Sequence, residues 1–431
     1  MARPGQVSLF PILLVNFIGT LGFSIVLPFL VTLVDRFGGN ALVYGIMGAT
    51  YSAFQLVGAP VLGRWSDSLG RRKVLLVSQL GTLASWFVFL GALFLPVRRI
   101  VDVDSTVVGA FAVTIPLVVL FLARALDGLT GGNVSVANAY LADLTTDEER
   151  SSKFGRMAVA SNLGYILGPA IAGLLAATRY GELLPVIGAI VVSIFATWLI
   201  AARLVDVHPC SLDSDPEEKG ALDVLGQEHK ACLRLSVGEK LSFAEILRLP
   251  GIPLLMAINF LVMLGFNFFY VAFPVHASVA LEWSVTEVGA FFAIMSVLMV
   301  AVQGPVLAEL SKRFSAASLT VVGSFVLAGA FALFSSGETW VIYLGVGLMA
   351  LGNGLMWPSL TAILADTAGE LHQGAVQGLA GSAGAFASIL GLLVGGLLFG
   401  TVGGAIFLLS AIAIFACFLL GLRLLGKEPS V

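Results

Sequence analysis

Twelve apolar stretches run along the chain, at 9–34, 42–63, 74–97, 107–142, 154–178, 183–204, 252–281, 286–308, 316–336, 339–365, 374–399 and 402–425. Each is about 20 residues or longer, enough to cross a hydrocarbon core of roughly 30 Å as an α-helix. A spanning strand needs only about 9–11 residues and alternates apolar with polar positions; these stretches do not alternate. The pattern predicts an all-α membrane protein of twelve transmembrane helices. One long polar stretch, 205–249, falls between the sixth and seventh spans. It divides the chain into a six-helix unit at 1–204, a linker at 205–249 and a second six-helix unit at 250–431. The linker ends in EKLSFAEILRLPG, where Leu241, Ile246 and Leu249 suit a short helix lying on the inner membrane face. The opening run MARPGQVSLFPILL passes straight into apolar residues without a small-residue cleavage site, so it reads as a retained first helix.

Composition agrees with lipid as the main solvent: 58% of residues are hydrophobic and 11% charged, against about 25% charged in an ordinary soluble domain. The net charge of −3 gives no basic footprint for nucleic acid. Cys210, Cys232 and Cys417 have no metal-ligand or redox spacing. With no histidine cluster, nucleophile motif or phosphate loop either, the sequence suggests no enzyme, cofactor or metal. Lys and Arg set the orientation. With the N-terminus in the cytoplasm, eighteen lie on that side and four outside (Arg36, Arg98, Arg99, Arg179), with Arg124 inside a span. Both termini are therefore expected to be cytoplasmic.

The two halves repeat one another. Asn16, Gly22 and Phe23 recur as Asn259, Gly265 and Phe266, and Pro60-Val61-Leu62 as Pro305-Val306-Leu307. Asp143, Gly155, Gly168 and Gly173 recur as Asp366, Gly378, Gly391 and Gly396. Transporter halves are often related in this way.

Three motifs carry a more specific resemblance. The loop between the second and third spans reads Gly63-Arg64-Trp65-Ser66-Asp67-Ser68-Leu69-Gly70-Arg71-Arg72-Lys73. It resembles the G-x-x-x-D-R-x-G-R-R-K loop of the major facilitator superfamily, with Ser68 where that family usually has a basic residue. The fourth span reads Arg124-Ala125-Leu126-Asp127-Gly128, similar to the family's R-x-x-x-G. The fifth contains Gly164-x-x-x-Gly168-Pro169-x-x-Ala172-Gly173, close to the pattern associated with proton-coupled exporters. The block from Arg124 to Gly155 resembles the tetracycline/proton antiporters of the drug-efflux branch. The resemblance implies two pseudo-symmetric six-helix bundles around a central cavity, rocking in alternating access in the cell membrane. It also implies a small-molecule substrate, protons as coupling ion and a single working subunit among membrane lipids.

The residues themselves suggest roles. Gly63 and Gly70 permit a tight turn and close helix approach. The resemblance implies that Asp67, Arg71, Arg72 and Asp143 form an inner gate that latches in the outward-open state. Arg124 and Asp127, at i and i+3, share one helix face and are the only charges deep in a span, where each costs about 2.5–3.5 kcal/mol on insertion scales. Asp127 is the candidate proton carrier. The tetracycline exporters have an acid in the first helix; here that region reads VNFIGTLGFS. Gly164, Gly168, Pro169 and Gly173 suit an outer-gate helix, small residues for close approach and a proline for a bend. Asn16, Asn133, Asn162, Tyr165, Asn259, Phe266, Asn267, Phe269, Tyr270, Asn353 and Trp357 are candidates to line the substrate cavity. With one deep acid, that cavity suits a lipophilic, neutral or weakly charged molecule. The leading expectation is a proton-driven exporter; a facilitator or importer of a metabolite, lipid or sugar is the alternative.

Overall fold

Lipid offers no partner to a backbone N–H or C=O, so a spanning segment must bond to itself or to a closed barrel. This chain does so as helix. The computed structural model describes residues 9–105, 108–131, 133–143, 147–204, 245 and 247–425. The first half contains Phe10–Ser24 followed by Leu27–Arg36, then Ala41–Leu69, Arg71–Phe94, Ile115–Thr130 followed by Asn133–Asp143, Asp147–Ala176 and Leu183–Arg203. The second half begins with Ile252–Val279. Val285–Ala301 then continues through the π-helical Val302–Val306 to Leu307–Leu310. Ala316–Leu333, Thr339–Val402 and Ile406–Leu425 complete it. Passes are numbered from one to twelve in this order. Paired pieces count once and Thr339–Val402 counts twice.

Thr339–Val402 is helical over 64 residues, about 96 Å if straight at 1.5 Å per residue and three times a bilayer core. Packing shows that it doubles back. Gly345 lies against Phe334 and Gly352 against Leu327, so the tenth pass runs antiparallel to the ninth. Asn259 meets Ala380, Asn267 meets Ser388 and Val271 meets Gly395, so 379–402 runs parallel to the seventh. The seventh and ninth are parallel, because Phe266 meets Phe331 and Phe273 meets Phe334. The reversal therefore falls between Leu364 and Leu379. Among the described residues nine helices are long and apolar enough to cross a membrane, the last being Leu379–Leu425. That last one is two passes meeting at Gly403, whose φ is +55°: Phe407 packs near Phe273 and Cys417 near Ile258, in antiparallel order. Adding the interrupted first and fourth passes gives twelve.

The fourth span starts later than the sequence suggests. Residues 109–114 are not helix. Strand β2 (Gly109–Thr114) pairs antiparallel with β1 (Arg99–Ser105), and the helix starts at Ile115 with a proline in its first turn. Ile100, Val101 and Val103 interleaved with Asp102 and Asp104 favour a half-solvated strand over a buried helix. Ala112 N–H donates to Gly38 O at 2.7 Å and Thr114 Oγ1 to Phe37 O at 2.8 Å. Asn40 clamps the hairpin: its Nδ2 donates to Val108 O at 2.9 Å, while its Oδ1 accepts from Val43 N–H and caps the second pass. This hairpin marks one end of the molecule. Residues 205–244 and 246, including Leu241 and Ile246 of the expected surface helix, lie outside the described residues; Leu247 and Leu249 pack against the second half's core.

The internal repeat reappears as matched contacts. Asn16 Nδ2 donates to Met157 O at 3.1 Å, and its counterpart Asn259 donates to Ala380 O at 3.1 Å. Gly168 backs onto Ser24 and Leu21 just as Gly391 backs onto Asn267 and Leu264. In each half, then, the first and fifth helices are joined alike. At the hairpin end the first half's core also takes in Val271 and Val275 of the seventh pass, so the two halves share packing there.

Candidate functional site

Asp127 stands twelve residues into the fourth pass, about 18 Å along it by helical rise and near the middle of a ~30 Å core. Arg124 Nη1 approaches Asp127 Oδ2 at 3.3 Å, with side-chain exposures of 3% and 11%. The i, i+3 spacing does bring them together. The guanidinium lies over the Tyr51 ring, 4.6 Å from its centroid, so one cation meets a carboxylate and a π face. Thr82 and Ser85 of the third pass stand beside the carboxylate. A cavity of about 10 Å³ adjoins the pair, lined by Ser85, Trp86, Phe89, Ala123, Arg124 and Asp127.

Just beyond Asp127 the helix breaks at Gly131, freeing carbonyls that a buried helix end must place elsewhere. Ser78 of the third pass donates to Thr130 O. Gln55 of the second donates to Gly131 O and to the Tyr51 hydroxyl, each at 3.1 Å. A broken helix at membrane depth is tolerated only where protein or a polar cavity satisfies it, and these side chains do so. The sequence reading missed Tyr51, Gln55, Ser78, Thr82, Ser85 and Trp86. A signal was present: Ser78, Thr82 and Ser85 fall on one face of an otherwise apolar helix.

The cavity candidates divide. Tyr165 is 50% exposed yet interacts with Tyr51 of its own half and Tyr270 of the other, so it faces the space between the halves. Tyr270 and Trp357 are half-buried. Phe269 and Phe266 are corrected: Phe269 is fully buried among Phe273, Phe331, Phe334 and Phe407, and Phe266 packs edge-on to Phe331. Interlocked rings make a core, not a cavity wall. Asn16 and Asn259 spend their donors on the inter-helix ties described above. Asn267 donates to Met263 O and Ser388 Oγ, and Asn353 reaches Met299 Sδ at 3.8 Å. The side chains of Asn133 and Asn162 lie outside the described residues.

The gates divide similarly. Gly164 and Gly168 pack on Thr20 and Ser24 within their own half, and Ser24 Oγ donates to Gly164 O at 2.9 Å, five residues before Pro169. Only Gly173 crosses between halves, where a Cβ would overlap the Gly289 backbone. A second crossing has the same form: Gly45 of the second pass lies against Gly396 and Leu392 of the eleventh. The two are mates in the internal repeat, and both lie toward the hairpin end. Tyr44 Oη adds a bond to Tyr270 O at 3.3 Å. At the opposite end, Gly70 turns between the second and third passes at φ +95°, and Arg71 is buried with its Nη1 donating to Ser66 Oγ at 2.6 Å. Arg72 donates to Ala201 O. Gly63, expected in the turn, instead lies inside the helix with open space beside it. The side chains of Asp67 and Asp143 are outside the described residues.

This arrangement of paired bundles, a broken fourth pass and a buried ion pair can be set beside known proteins. The family model described as Major Facilitator Superfamily matches residues 12–256 and again 255–431. The chain belongs to that superfamily. Among curated relatives it is 29% identical over 385 residues to the tetracycline resistance protein, class D, of Salmonella ordonez, covering 88% of this chain and 85% of that one. It is 24% identical to multidrug resistance protein 2 of Bacillus subtilis, covering 91% and 89%. Among solved structures, the human organic anion transporter MFSD10 (TETRAN) superposes with a TM-score of 0.66 at 21% identity, over 98% of this chain and all of that one. The xylose transporter XylE of E. coli gives 0.70 at 15% identity with the same coverage. These last two share the fold. As a superfamily member with this helix arrangement, the chain is a multi-pass membrane protein.

Proposed function

We propose that this chain is a proton-coupled exporter of lipophilic small molecules that works by alternating access, with Asp127 as the group that takes up and gives up the proton. One observation carries the reading: a carboxylate and a guanidinium held 3.3 Å apart at mid-membrane, beside a helix break. Intramembrane ionisable groups are kept at a cost and mark ion or substrate pathways. Relatives named for tetracycline and multidrug resistance support export as the direction. The first helix, Phe10–Ser24, has no acid, and Asp35 stands exposed at the far end of the first pass, so coupling falls to Asp127.

The Lys/Arg bias places both termini in the cytoplasm and the hairpin end outside, in the plasma or inner membrane. With glycine crossings closing the hairpin end, this state faces inward. Protonating Asp127 removes the charge that holds Arg124, whose guanidinium rests on Tyr51. Tyr51 shares a helix with Tyr44, and Tyr44 bonds to the seventh pass across the closure. Proton binding is thereby linked to the contact that must break for the molecule to open outward. Tyr165 and Tyr270, brought near one another from the two halves, give the substrate path an aromatic wall that suits a lipophilic guest, handled by one subunit.

The test is transport in reconstituted vesicles with tetracycline and a lipophilic dye as probes. Wild type moves probe up its own gradient when a pH gradient is imposed, and Asp127→Asn transports only down the probe's own gradient. Wild-type transport indifferent to the pH gradient would favour a facilitator instead.

A further inference from the structure

The cavity beside Asp127 has a chemistry that the ion pair alone does not explain. Trp86 is 2% exposed, and its indole N–H has no hydrogen-bond acceptor in the protein. A buried donor left so costs about 1–3 kcal/mol. The same residue lines the pocket of about 10 Å³ shared with Ser85, Ala123, Arg124 and Asp127, which is the size of one water molecule. We propose that this pocket is a specific water site, that Trp86 is a positioning residue for it, and that this water is the proton's immediate partner at Asp127. The inference rests on the proposed role of Asp127.

The lining decides the occupant. Trp86 N–H and the Arg124 guanidinium both present positive hydrogen, which disfavours a sodium or other metal cation. An anion would meet the Asp127 carboxylate and needs more room. Water can accept from the indole and donate to the carboxylate, while the Ser85 hydroxyl, which itself donates to Thr82 O at 2.7 Å, can accept. Other titratable or charged groups close to the pair are Tyr51 and Tyr44 of the second pass; Thr82 and Ser85 from the third pass carry no charge. A hydronium reaching this point passes its proton to the carboxylate, leaving the neutral acid and water; release is the reverse.

The test uses the purified full chain. Infrared difference spectra across a pH titration show the carbonyl stretch of protonated Asp127, identified by its loss in Asp127→Asn. Trp86→Phe keeps the bulk but removes the N–H, and Ala123→Val fills the pocket. Both should move the band to higher frequency, as for a carboxyl losing a donor. Both should slow proton-driven tetracycline transport about tenfold, the weight of one hydrogen bond to a charged group, with downhill tetracycline exchange unchanged. Ser85→Ala gives a third, smaller perturbation should either variant fold poorly. A band and a transport rate like wild type in Trp86→Phe and Ala123→Val would overturn the water site. If Asp127→Asn removes no band and keeps pH-driven transport, the proposed function fails instead.

Discussion

Gly173 and Gly289 touch backbone to backbone between the halves, and a Cβ on either would overlap the other. In the proposed alternating-access cycle that contact exists only while the hairpin end is closed. Gly289→Ala should therefore burden one state and leave the other untouched. Relieving such an overlap in a packed interface costs about 1–3 kcal/mol, which shifts a two-state equilibrium about 5- to 150-fold. The assay is labelling of Tyr165→Cys by a membrane-impermeant maleimide added outside. Tyr165 lies between the halves, beneath the closure, so outside labelling should quicken by that factor in Gly289→Ala. Gly347→Ala is the matched control, because no heavy atom lies within 4 Å of its Cβ position. Equal labelling rates in all three backgrounds would refute the claim that this crossing seals the hairpin end.

Other outcomes follow from the same geometry. Arg124→Gln leaves a buried carboxylate without its ion-pair partner, so thermal unfolding should show a loss of about 3–5 kcal/mol; adding Asp127→Asn should recover much of it while transport stays uncoupled. Asn16→Ala and Asn259→Ala each remove the tie between first and fifth helices of one half, and each should lower stability by about 1 kcal/mol in thermal melts, Asn16→Ala by more because Asn16 also donates to Ser161 Oγ. Asn40→Ala removes a helix cap worth about 1 kcal/mol and the hairpin's clamp, so hydrogen exchange at 99–105 and 108–114 should accelerate while the second half is unaffected.

The passes were legible because lipid imposes one rule, about 20 apolar residues in a helix, and this chain obeys it with little interruption. The ion pair was legible for a related reason: charges in oil are few, so Arg124 and Asp127 stood out. The repeat went further than expected, since offsets read from Asn16, Gly168 and Gly173 reappear as equivalent contacts. The polar shell was hidden. Ser78, Thr82 and Ser85 are mild residues whose meaning depends on which helix faces them, and that is tertiary information. Phe269 misled for the converse reason, because an aromatic ring on an inner helix can face the cavity or its own bundle's core, and spacing does not say which. Of the β-hairpin, the second strand at 109–114 was absorbed into the fourth apolar run and the first at 99–105 was left between spans, although its alternating positions could have revealed it.

The most direct measurement is proton release on ligand binding. Purified protein in detergent, weakly buffered and monitored with a pH-sensitive dye, is mixed with tetracycline and with a lipophilic dye of different colour. If Asp127 couples protons to export, binding by wild type releases protons and binding by Asp127→Asn releases none. Equal release by both proteins would contradict the account, because the exchanged proton would then belong to another group.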